Sequence, residues 1–264
     1  MKPIAIAEAA ERIAADRIGR RQVRALPPEC RPANEADAYR IQQAAHDLMT
    51  DRGQGPVTGH KIGCTTAVMQ RFLDIAQPAA GGIFAPTCYR QSGTFTAANH
   101  HRLGVECEIA VTLARDLGPG DGPFTASGLA DAVANAMAAI ELVDDRYDDY
   151  ATLGAPTLIA DDFFNAGAVL GEPIPATAIG DLASVQGVMR INGEDVGTGT
   201  GADIMGQPLA ALAWLATFRA SLGLGLRAGE YILLGSLVET RWVSPGDRID
   251  IAVSGLGTAQ AIIA

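Results

Sequence analysis

The chain has 264 residues, of which 48% are hydrophobic, and carries a formal net charge of -10 at pH 7. This length suits one large domain, or a small arm followed by a main domain. The acidic balance argues against a nucleic-acid-binding surface and against an anionic membrane partner. The four cysteines are widely separated and form no Cys-x-x-Cys pair, which argues against a structural zinc site or a disulfide framework.

No run of apolar residues reaches the length of a membrane span. The early acidic residues Glu8 and Glu11 do not fit a secretory signal peptide. We therefore expect a cytoplasmic protein with neither a membrane partner nor a nucleic-acid partner.

The N-terminal region is expected to be helical. Apolar periodicity over residues 4–19 predicts an amphipathic helix, and a proline-containing connector follows it. Asn34 is a good helix cap for a second helix over residues 36–51. We assign residues 1–56 to an N-terminal helical region and residues 57–264 to a main domain, packed together as one unit.

The next segment predicts a short strand, Val57-Thr-Gly-His-Lys-Ile-Gly63, which leads into a helix capped by Thr65 or Thr66. Lys61 lies in this strand between two glycines, where its ammonium group must find a partner or water. A surface lysine with a covered stem is the alternative interpretation. Residues 77–84 predict a flexible loop that enters another strand.

Two carboxylates interrupt the apolar strand Gly104-Val-Glu-Cys-Glu-Ile-Ala-Val-Thr-Leu113. Because side chains alternate along a strand, Glu106 and Glu108 point to the same face. Like charges about 7 Å apart repel each other unless a cation lies between them. The pattern therefore predicts half of a metal site, although this strand taken alone is better explained by a solvated polar face on an edge strand.

Glu141 supplies a third carboxylate. Residues 127–138 predict an alanine-rich helix, which runs into an apolar strand that contains Glu141. Burying an unpaired carboxylate is costly, so Glu141 is a candidate third ligand. Three carboxylates without a nearby histidine pair favour Mg²⁺ or Mn²⁺. Such an ion could also chelate a 2-oxo acid and stabilise its enolate, with Lys61 as proton carrier or electrostatic partner.

The C-terminal half predicts mainly antiparallel strands. Asn192-Gly193 is typical of a hairpin turn, and Pro208 fits the first turn of a helix over residues 209–222. Closing strands are predicted at residues 231–243, 248–253 and 258–262. This succession favours an α+β fold over a doubly wound sheet.

These residues together resemble the 2-keto-4-pentenoate hydratase and 4-oxalocrotonate decarboxylase group of the fumarylacetoacetate hydrolase superfamily. The resemblance covers nearly the whole length. It rests on these segments: Gly59-His-Lys-Ile-Gly63, Glu106-Cys-Glu108, Ile140-Glu-Leu-Val-Asp-Asp-Arg146, Ala160-Asp161, Gly206-Gln-Pro-Leu-Ala-Ala-Leu-Ala-Trp-Leu215 and Gly229-Glu-Tyr-Ile-Leu-Leu-Gly235.

The resemblance implies a mixed β-roll with flanking helices, a helical N-terminal arm and a homo-oligomer. It further implies that Mg²⁺ or Mn²⁺ is bound by the three glutamates and that Lys61 is catalytic. We also predict three substrate-binding positions: Asp161, Phe164 and Ser236. The expected substrates are small 2-oxo or 2-hydroxy-dienoic acids from aromatic catabolism.

Two departures from the group's pattern concern the substrate. Ala79 and Ala80 stand where hydratases of the group tend to carry an acidic and then an aromatic residue. After Asp161, the usual Asn-Ala-Ser is replaced by Asp162-Phe163-Phe164, which predicts a more apolar or narrower pocket. The leading hypothesis is a hydratase of 2-hydroxy-alka-2,4-dienoates. The alternatives are a 4-oxalocrotonate-type decarboxylase, then an acylpyruvate hydrolase, and then a non-catalytic partner subunit.

Overall fold

The computed structural model describes all 264 residues except the side chains at positions 67 and 72. Its strands, in chain order, are β1 (Val57–Gly63), β2 (Ala79–Phe84), β3 (Cys88–Arg90), β4 (Ser92–Phe95), β5 (Leu103–Leu113), β6 (Val133–Asp144), β7 (Asn165–Leu170), β8 (Ile174–Pro175), β9 (Gln186–Ile191), β10 (Glu194–Thr200), β11 (Tyr231–Trp242), β12 (Arg248–Val253) and β13 (Gly257–Ile263).

The helices are α1 (Pro3–Ile18), α2 (Glu35–Met49), α3 (Ala67–Phe72), α4 (Tyr150–Leu153), α5 (Ala155–Ala160) and α6 (Pro208–Ser221). None of the described helices combines the length and the apolarity needed to cross a lipid bilayer. The predicted caps are present, since Asn34 accepts a hydrogen bond from the Asp37 amide and Thr66 accepts one from the Met69 amide.

The described strands form two sheets. The larger has eight strands in the order β2-β1-β11-β5-β6-β7-β3, with β8 beside β6. The smaller has five, in the order β10-β9-β12-β13-β4. Parallel and antiparallel pairs occur in both sheets, so the predicted mixed α+β fold is confirmed.

The long strand β5 separates the core from the carboxylates. Val105, Cys107 and Ile109 point to one face and are completely buried. The smaller sheet covers this face, because a side chain at Gly187 of β9 would come within 3.0 Å of the Cys107 Sγ. Glu106 and Glu108 point to the other face, as strand alternation predicts.

The predicted alanine-rich helix over residues 127–138 is wrong. A short 3₁₀ turn occupies Ser127–Ala132, and β6 begins at Val133. Ala136, Ala138 and Ala139 are completely buried within this strand, which pairs with β5 along its length. Helix propensity is a weak preference, and here the packing of a central strand overrides it.

The predicted flexible loop at residues 77–84 is also largely wrong, because β2 starts at Ala79 and is buried throughout. Its glycines allow close approach. A Cβ atom at Gly81 would lie 2.5 Å from the Asp162 carbonyl oxygen, and one at Gly82 would lie 2.5 Å from the His46 ring. Small residues in this segment therefore reflect tight packing.

The N-terminal helices contact the main domain through polar anchors. The Gln42 side-chain amide donates to the carbonyl oxygens of Ala80 (3.0 Å) and Ile159 (2.7 Å). Arg17 of α1 forms an ion pair with Asp161. These contacts agree with packing as one unit, while the boundary between residues 56 and 57 stays a prediction.

Candidate metal centre

Glu106, Glu108 and Glu141 converge at the centre of the larger sheet. Glu106 lies directly opposite Glu141 in the β5–β6 pair, and Glu108 is one strand repeat further along β5. Each offers a carboxylate oxygen, and these oxygens lie within 4.8 Å of one another. Glu108 and Glu141 are completely buried, whereas Glu106 is partly exposed. The structure thus brings together the carboxylates that the sequence singled out.

Two of the carboxylates are each held at one oxygen by β11. The backbone amide of Gly235 donates to Glu108 Oε2 at 2.7 Å. The Thr240 hydroxyl donates to Glu106 Oε1. Both donors fix the direction of the carboxylate and leave its other oxygen available to a ligand.

Glu141 is held by two donors at the same oxygen. The Asn165 side-chain amide donates to Glu141 Oε1 at 2.9 Å, and Lys61 Nζ lies 3.0 Å from that oxygen. Asn165 is the first residue of β7 and lies opposite Val143 in the β6–β7 pair. The second oxygen of Glu141 is again left free.

The remaining oxygens fit a divalent cation. Glu108 Oε1 and Glu141 Oε2 are buried and have no hydrogen-bond partner among the described residues. Burial, and then the charge of Glu141, raises the pKa of Glu106, and the same causes together with Glu106 raise the pKa of Glu108 further. A cation with hard oxygen ligands would satisfy these oxygens and offset the repulsion, so the donor set suits Mg²⁺ or Mn²⁺.

Lys61 faces this cluster and is nearly completely buried. Burial by itself would lower the pKa of Lys61, but the charges of Glu141, Glu106 and Glu108 outweigh burial and raise it. Lys61 is therefore an ammonium group at neutral pH. Its Nζ lies 5.3 Å from the centre of the Phe163 ring.

The segment that carries Phe163 has a strained backbone. Three consecutive non-glycine residues have left-handed φ angles: 54° at Asp162, 47° at Phe163 and 69° at Phe164. Each such residue costs on the order of 1–3 kcal/mol and persists only where its surroundings enforce it. Here Asp162 accepts hydrogen bonds from the Gly82 amide (2.8 Å) and pairs with His46 Nε2 (2.7 Å).

Asp161 anchors the same segment at its start. Its Oδ1 lies 2.7 Å from Arg17 Nε and 2.6 Å from Arg146 Nη2, and its Oδ2 accepts from Arg146 Nε at 2.9 Å. Burial opposes ionisation, but Arg146 and Arg17 hold the pKa of Asp161 below its usual range. Both oxygens are hydrogen-bonded to arginine side chains, and the substrate contact of Asp161 stays a prediction.

The other two predicted substrate positions lie beside the site. Phe164 packs edge-on against Tyr147 (4.8 Å between ring centres) and Tyr150 (5.6 Å), and the phenylalanine that lies over Lys61 is Phe163. The Ser236 hydroxyl lies opposite Glu108 in the ladder but donates to the Val238 carbonyl oxygen at 2.6 Å. Their contact with substrate stays a prediction.

The sequence interpretation missed the three donors Thr240, Gly235 and Asn165. Thr240 and Gly235 are separated by β-bulges, which upset the counting of faces along β11. Asn165 could have been found, because an amide directly after two aromatic residues and before an apolar strand is an unusual polar position.

Known proteins are similar to this chain over most of its length. The family model of the C-terminal region of fumarylacetoacetate (FAA) hydrolase matches residues 72–264. A 2-keto-4-pentenoate hydratase of Burkholderia vietnamiensis is 35% identical over 257 residues, which cover 97% of this chain and 96% of the relative. A 2-hydroxyhexa-2,4-dienoate hydratase of Comamonas testosteroni is 34% identical over 228 residues, with 85% and 84% covered.

Among solved structures, 4-oxalocrotonate decarboxylase from Pseudomonas putida G7, complexed with calcium and acetate, is 25% identical. The superposition has a TM-score of 0.90 and covers 100% of this chain and 99% of the decarboxylase chain. The family model spans well over half of the chain, and the resemblance inferred from the sequence is confirmed. The chain belongs to the fumarylacetoacetate hydrolase family.

Proposed function

We propose that this chain is a divalent-metal-dependent hydratase of 2-hydroxy-alka-2,4-dienoates. The carrying observation is the cluster of three glutamates with two unpartnered buried oxygens beside a buried lysine. The sequence similarity of the chain to dienoate and pentenoate hydratases, over most of both chains, supports this choice among the reactions of the family.

Glu106, Glu108 and Glu141 would hold the cation, and Mg²⁺ or Mn²⁺ is the proposed occupant. When bound, the ion supplies Lewis-acid stabilisation of the enolate oxygen of the substrate. Thr240, the Gly235 amide and Asn165 orient the three carboxylates (as described above), which is the task of groups behind a metal site.

Lys61 is the proposed catalytic residue. Its ammonium group lies beside the cluster and can hold a proton close to the substrate enol or donate it during ketonisation. Ketonisation of the dienol is followed by addition of water at the remote double bond, which gives a 4-hydroxy-2-oxo acid. Lys61 is buried, so its ammonium group is shielded from bulk water and can deliver its proton directly to the enolate.

Decarboxylation of a 2-oxo-dioic acid is the second candidate, favoured by the full-length fold similarity to the decarboxylase. The hydrolase alternative would need a histidine–carboxylate pair that faces the metal centre. The buried pair His46–Asp162 does not meet this need, because His46 packs on the Gly82 side of β2 whereas Lys61 pairs with Gly81 on the opposite face. A non-catalytic subunit would have no use for three clustered carboxylates.

The test is an assay of purified chain with 2-hydroxypenta-2,4-dienoate and Mg²⁺ or Mn²⁺. We expect loss of the dienol absorbance, formation of 4-hydroxy-2-oxopentanoate and no release of carbon dioxide, with activity abolished by a chelator. Absence of ketonisation and hydration across several dienoates would exclude the proposal. Release of carbon dioxide from 4-oxalocrotonate without hydration would establish the second candidate.

The homo-oligomer and the cytoplasmic location remain predictions from the sequence.

A further inference from the structure

One arginine of the N-terminal helix α1 bonds to both ends of the strained segment at residues 161–165. At the start of the segment, Arg17 Nε lies 2.7 Å from Asp161 Oδ1, and Arg17 Nη2 donates to the Asp161 carbonyl oxygen at 2.5 Å. At the far end, Arg17 Nη1 donates to the Asn165 carbonyl oxygen at 3.3 Å. A guanidinium group carries five donors in a fixed planar fork, so this one side chain holds two backbone positions at a set distance.

The position of Arg17 is itself well fixed. Arg17 lies in the last turn of α1, a helix whose buried face includes Ile13 and Ala14. Its side chain is 13% exposed, and the Asp161 side chain beside it is 1% exposed. Hydrogen bonds between a charged donor and a carboxylate are strong, and little water is present here to compete for them. Arg17 therefore connects α1 rigidly to the segment.

The segment between the two ends needs such a constraint. Its central residues Asp162, Phe163 and Phe164 all have left-handed φ angles, a conformation that persists only where the surroundings enforce it. Hydrogen bonds of the Asp162 side chain fix the first of these residues. If the bond to the Asn165 carbonyl oxygen were lost, relaxation of the φ angles would shift the end of the segment at Asn165.

A shift of Asn165 would reach the metal centre directly. The Asn165 side-chain amide donates to Glu141 Oε1 at 2.9 Å, and both residues are buried. Arg17 is thus two contacts away from a proposed metal ligand, since it holds the backbone of Asn165 while the side chain of Asn165 holds Glu141. Groups that orient a ligand from behind a metal site change the metal affinity when they are removed.

We infer that Arg17 is a positioning residue for the metal centre, which acts through Asn165 and touches neither the metal nor the substrate. Helix α1 then contributes to metal affinity as well as to folding. The inference rests on the proposed binding of a cation at the three glutamates. A direct electrostatic effect of Arg17 would have the opposite sign, because removal of a positive charge near a cation site favours the cation.

Calorimetric titration with Mn²⁺ tests the inference without turnover. Arg17→Lys keeps the positive charge beside Asp161, but a single ammonium group cannot reproduce the fork that reaches both Asp161 and Asn165. We expect Arg17→Lys and Arg17→Gln each to raise the Kd for Mn²⁺ by about 10-fold. Arg12→Gln, which removes an exposed arginine of the same helix that pairs with Glu8, should leave the Kd unchanged. Wild-type affinity in both Arg17 variants would overturn the inference.

A double-mutant cycle separates positioning from a general loss of structure. In the Asn165→Ala background the link to Glu141 is already absent, so the addition of Arg17→Lys should raise the Kd by less than about 2-fold. The same loss of affinity in both backgrounds would show that Arg17 acts by another route, and would overturn the inference.

Hydrogen exchange of the metal-free chain gives a second readout, which also serves if Arg17→Gln does not fold. In Arg17→Lys, the amides of residues 162–165 should exchange faster than in the wild type, while those of β5 stay protected. Unchanged exchange of the segment would contradict the role of Arg17 in holding it.

The outcomes also separate this inference from the proposed reaction. If the Arg17 variants bind Mn²⁺ more weakly than the wild type but no dienoate is hydrated, the hydratase assignment fails and the positioning role stands. If dienoates are hydrated and the Arg17 variants keep the wild-type affinity for Mn²⁺, the hydratase assignment stands and the positioning role is refuted. A wild-type chain that binds no Mn²⁺ or Mg²⁺ would refute both.

Discussion

The buried carboxylates have two effects on stability: they repel each other without metal, and they allow a bound cation to stabilise the fold. Substitution Glu108→Gln separates these two effects. Glu108 is completely buried, and its Oε2 accepts the Gly235 amide at 2.7 Å while Oε1 has no partner among the described residues. A glutamine has nearly the same shape. Its carbonyl oxygen can keep the Gly235 bond, and its amide group can donate towards the neighbouring carboxylates. We therefore expect the variant to fold.

The magnitude follows from the geometry. Two unit charges 4.8 Å apart repel by about 3 kcal/mol at an effective dielectric constant of about 20. Glu108→Gln removes repulsion from Glu106 and Glu141 but also attraction to Lys61, and the raised pKa of Glu108 already relieves part of the repulsion. Without metal, we expect the variant to be more stable by about 1–3 kcal/mol, a rise in Tm of roughly 2–10 °C.

In the presence of metal, we expect the wild-type chain to gain more stability than the variant. A cation at about 100 times its Kd stabilises the wild-type chain by about 2.7 kcal/mol. Glu108→Gln should lose this metal-dependent gain. The assay is thermal unfolding in a chelator and in Mg²⁺ or Mn²⁺, with Glu239→Gln, an exposed glutamate on β11, as the matched control. A variant that keeps the wild-type metal response, or that is less stable than the wild type in chelator, would refute this reasoning.

Three further predictions concern the groups around the glutamates. Lys61→Met should lower kcat by about 10²–10⁴, because the ammonium group is a proton carrier. Mn²⁺ should still bind, because the substitution removes a cation that competes for the glutamates. Wild-type turnover would contradict this prediction. Asn165→Ala removes the 2.9 Å bond to Glu141 and should weaken metal affinity by about 10–100-fold, measured by calorimetry, while an unchanged Kd would rule out the orienting role. Although burial opposes ionisation, His46 and Arg17 lower the pKa of Asp162 to about 2, whereas the pKa of an unfolded aspartate is about 3.9. Asp162 should therefore contribute about 2–3 kcal/mol to the free energy of unfolding above pH 4, and this contribution is lost as the pH falls towards 2. In urea unfolding, the stability gap between wild type and Asp162→Asn should shrink between pH 5 and pH 3, and a constant gap would contradict this.

The sequence predicts α1, α2, α3 and α6 and the hairpin of β9 and β10 because their signals are local. The Asn34 and Thr66 caps and the Asn192-Gly193 hairpin all appear in the structure where their turn and cap chemistry places them. The errors lie in the interior. Residues 133–138 form a strand because small side chains let β6 lie buried between β5 and β7, and that constraint comes from distant parts of the chain.

The candidate site shows the same division between local and distant information. Glu106 and Glu108 share a face by alternation alone, so this half of the cluster can be predicted from the sequence. That Glu141 lies opposite Glu106 depends on the register of β5 with β6, which is fixed by the whole sheet. The sequence could nominate Glu141 as a buried carboxylate but could not place it.

The donors on β11 show why even a correct face assignment is insufficient. Ser236 lies opposite Glu108, so a regular antiparallel ladder would put Val238 opposite Glu106. Two register shifts between these positions each add one residue to β11, and the pairing resumes with Arg241 opposite Val105. Thr240 thereby reaches Glu106, and its hydroxyl holds the carboxylate where valine could not. Bulges re-aim side chains, and here they place a hydrogen-bond donor, in the position of an apolar side chain, beside the proposed metal ligand Glu106. Deleting one residue from this stretch of β11 should therefore impair metal binding more than it impairs folding.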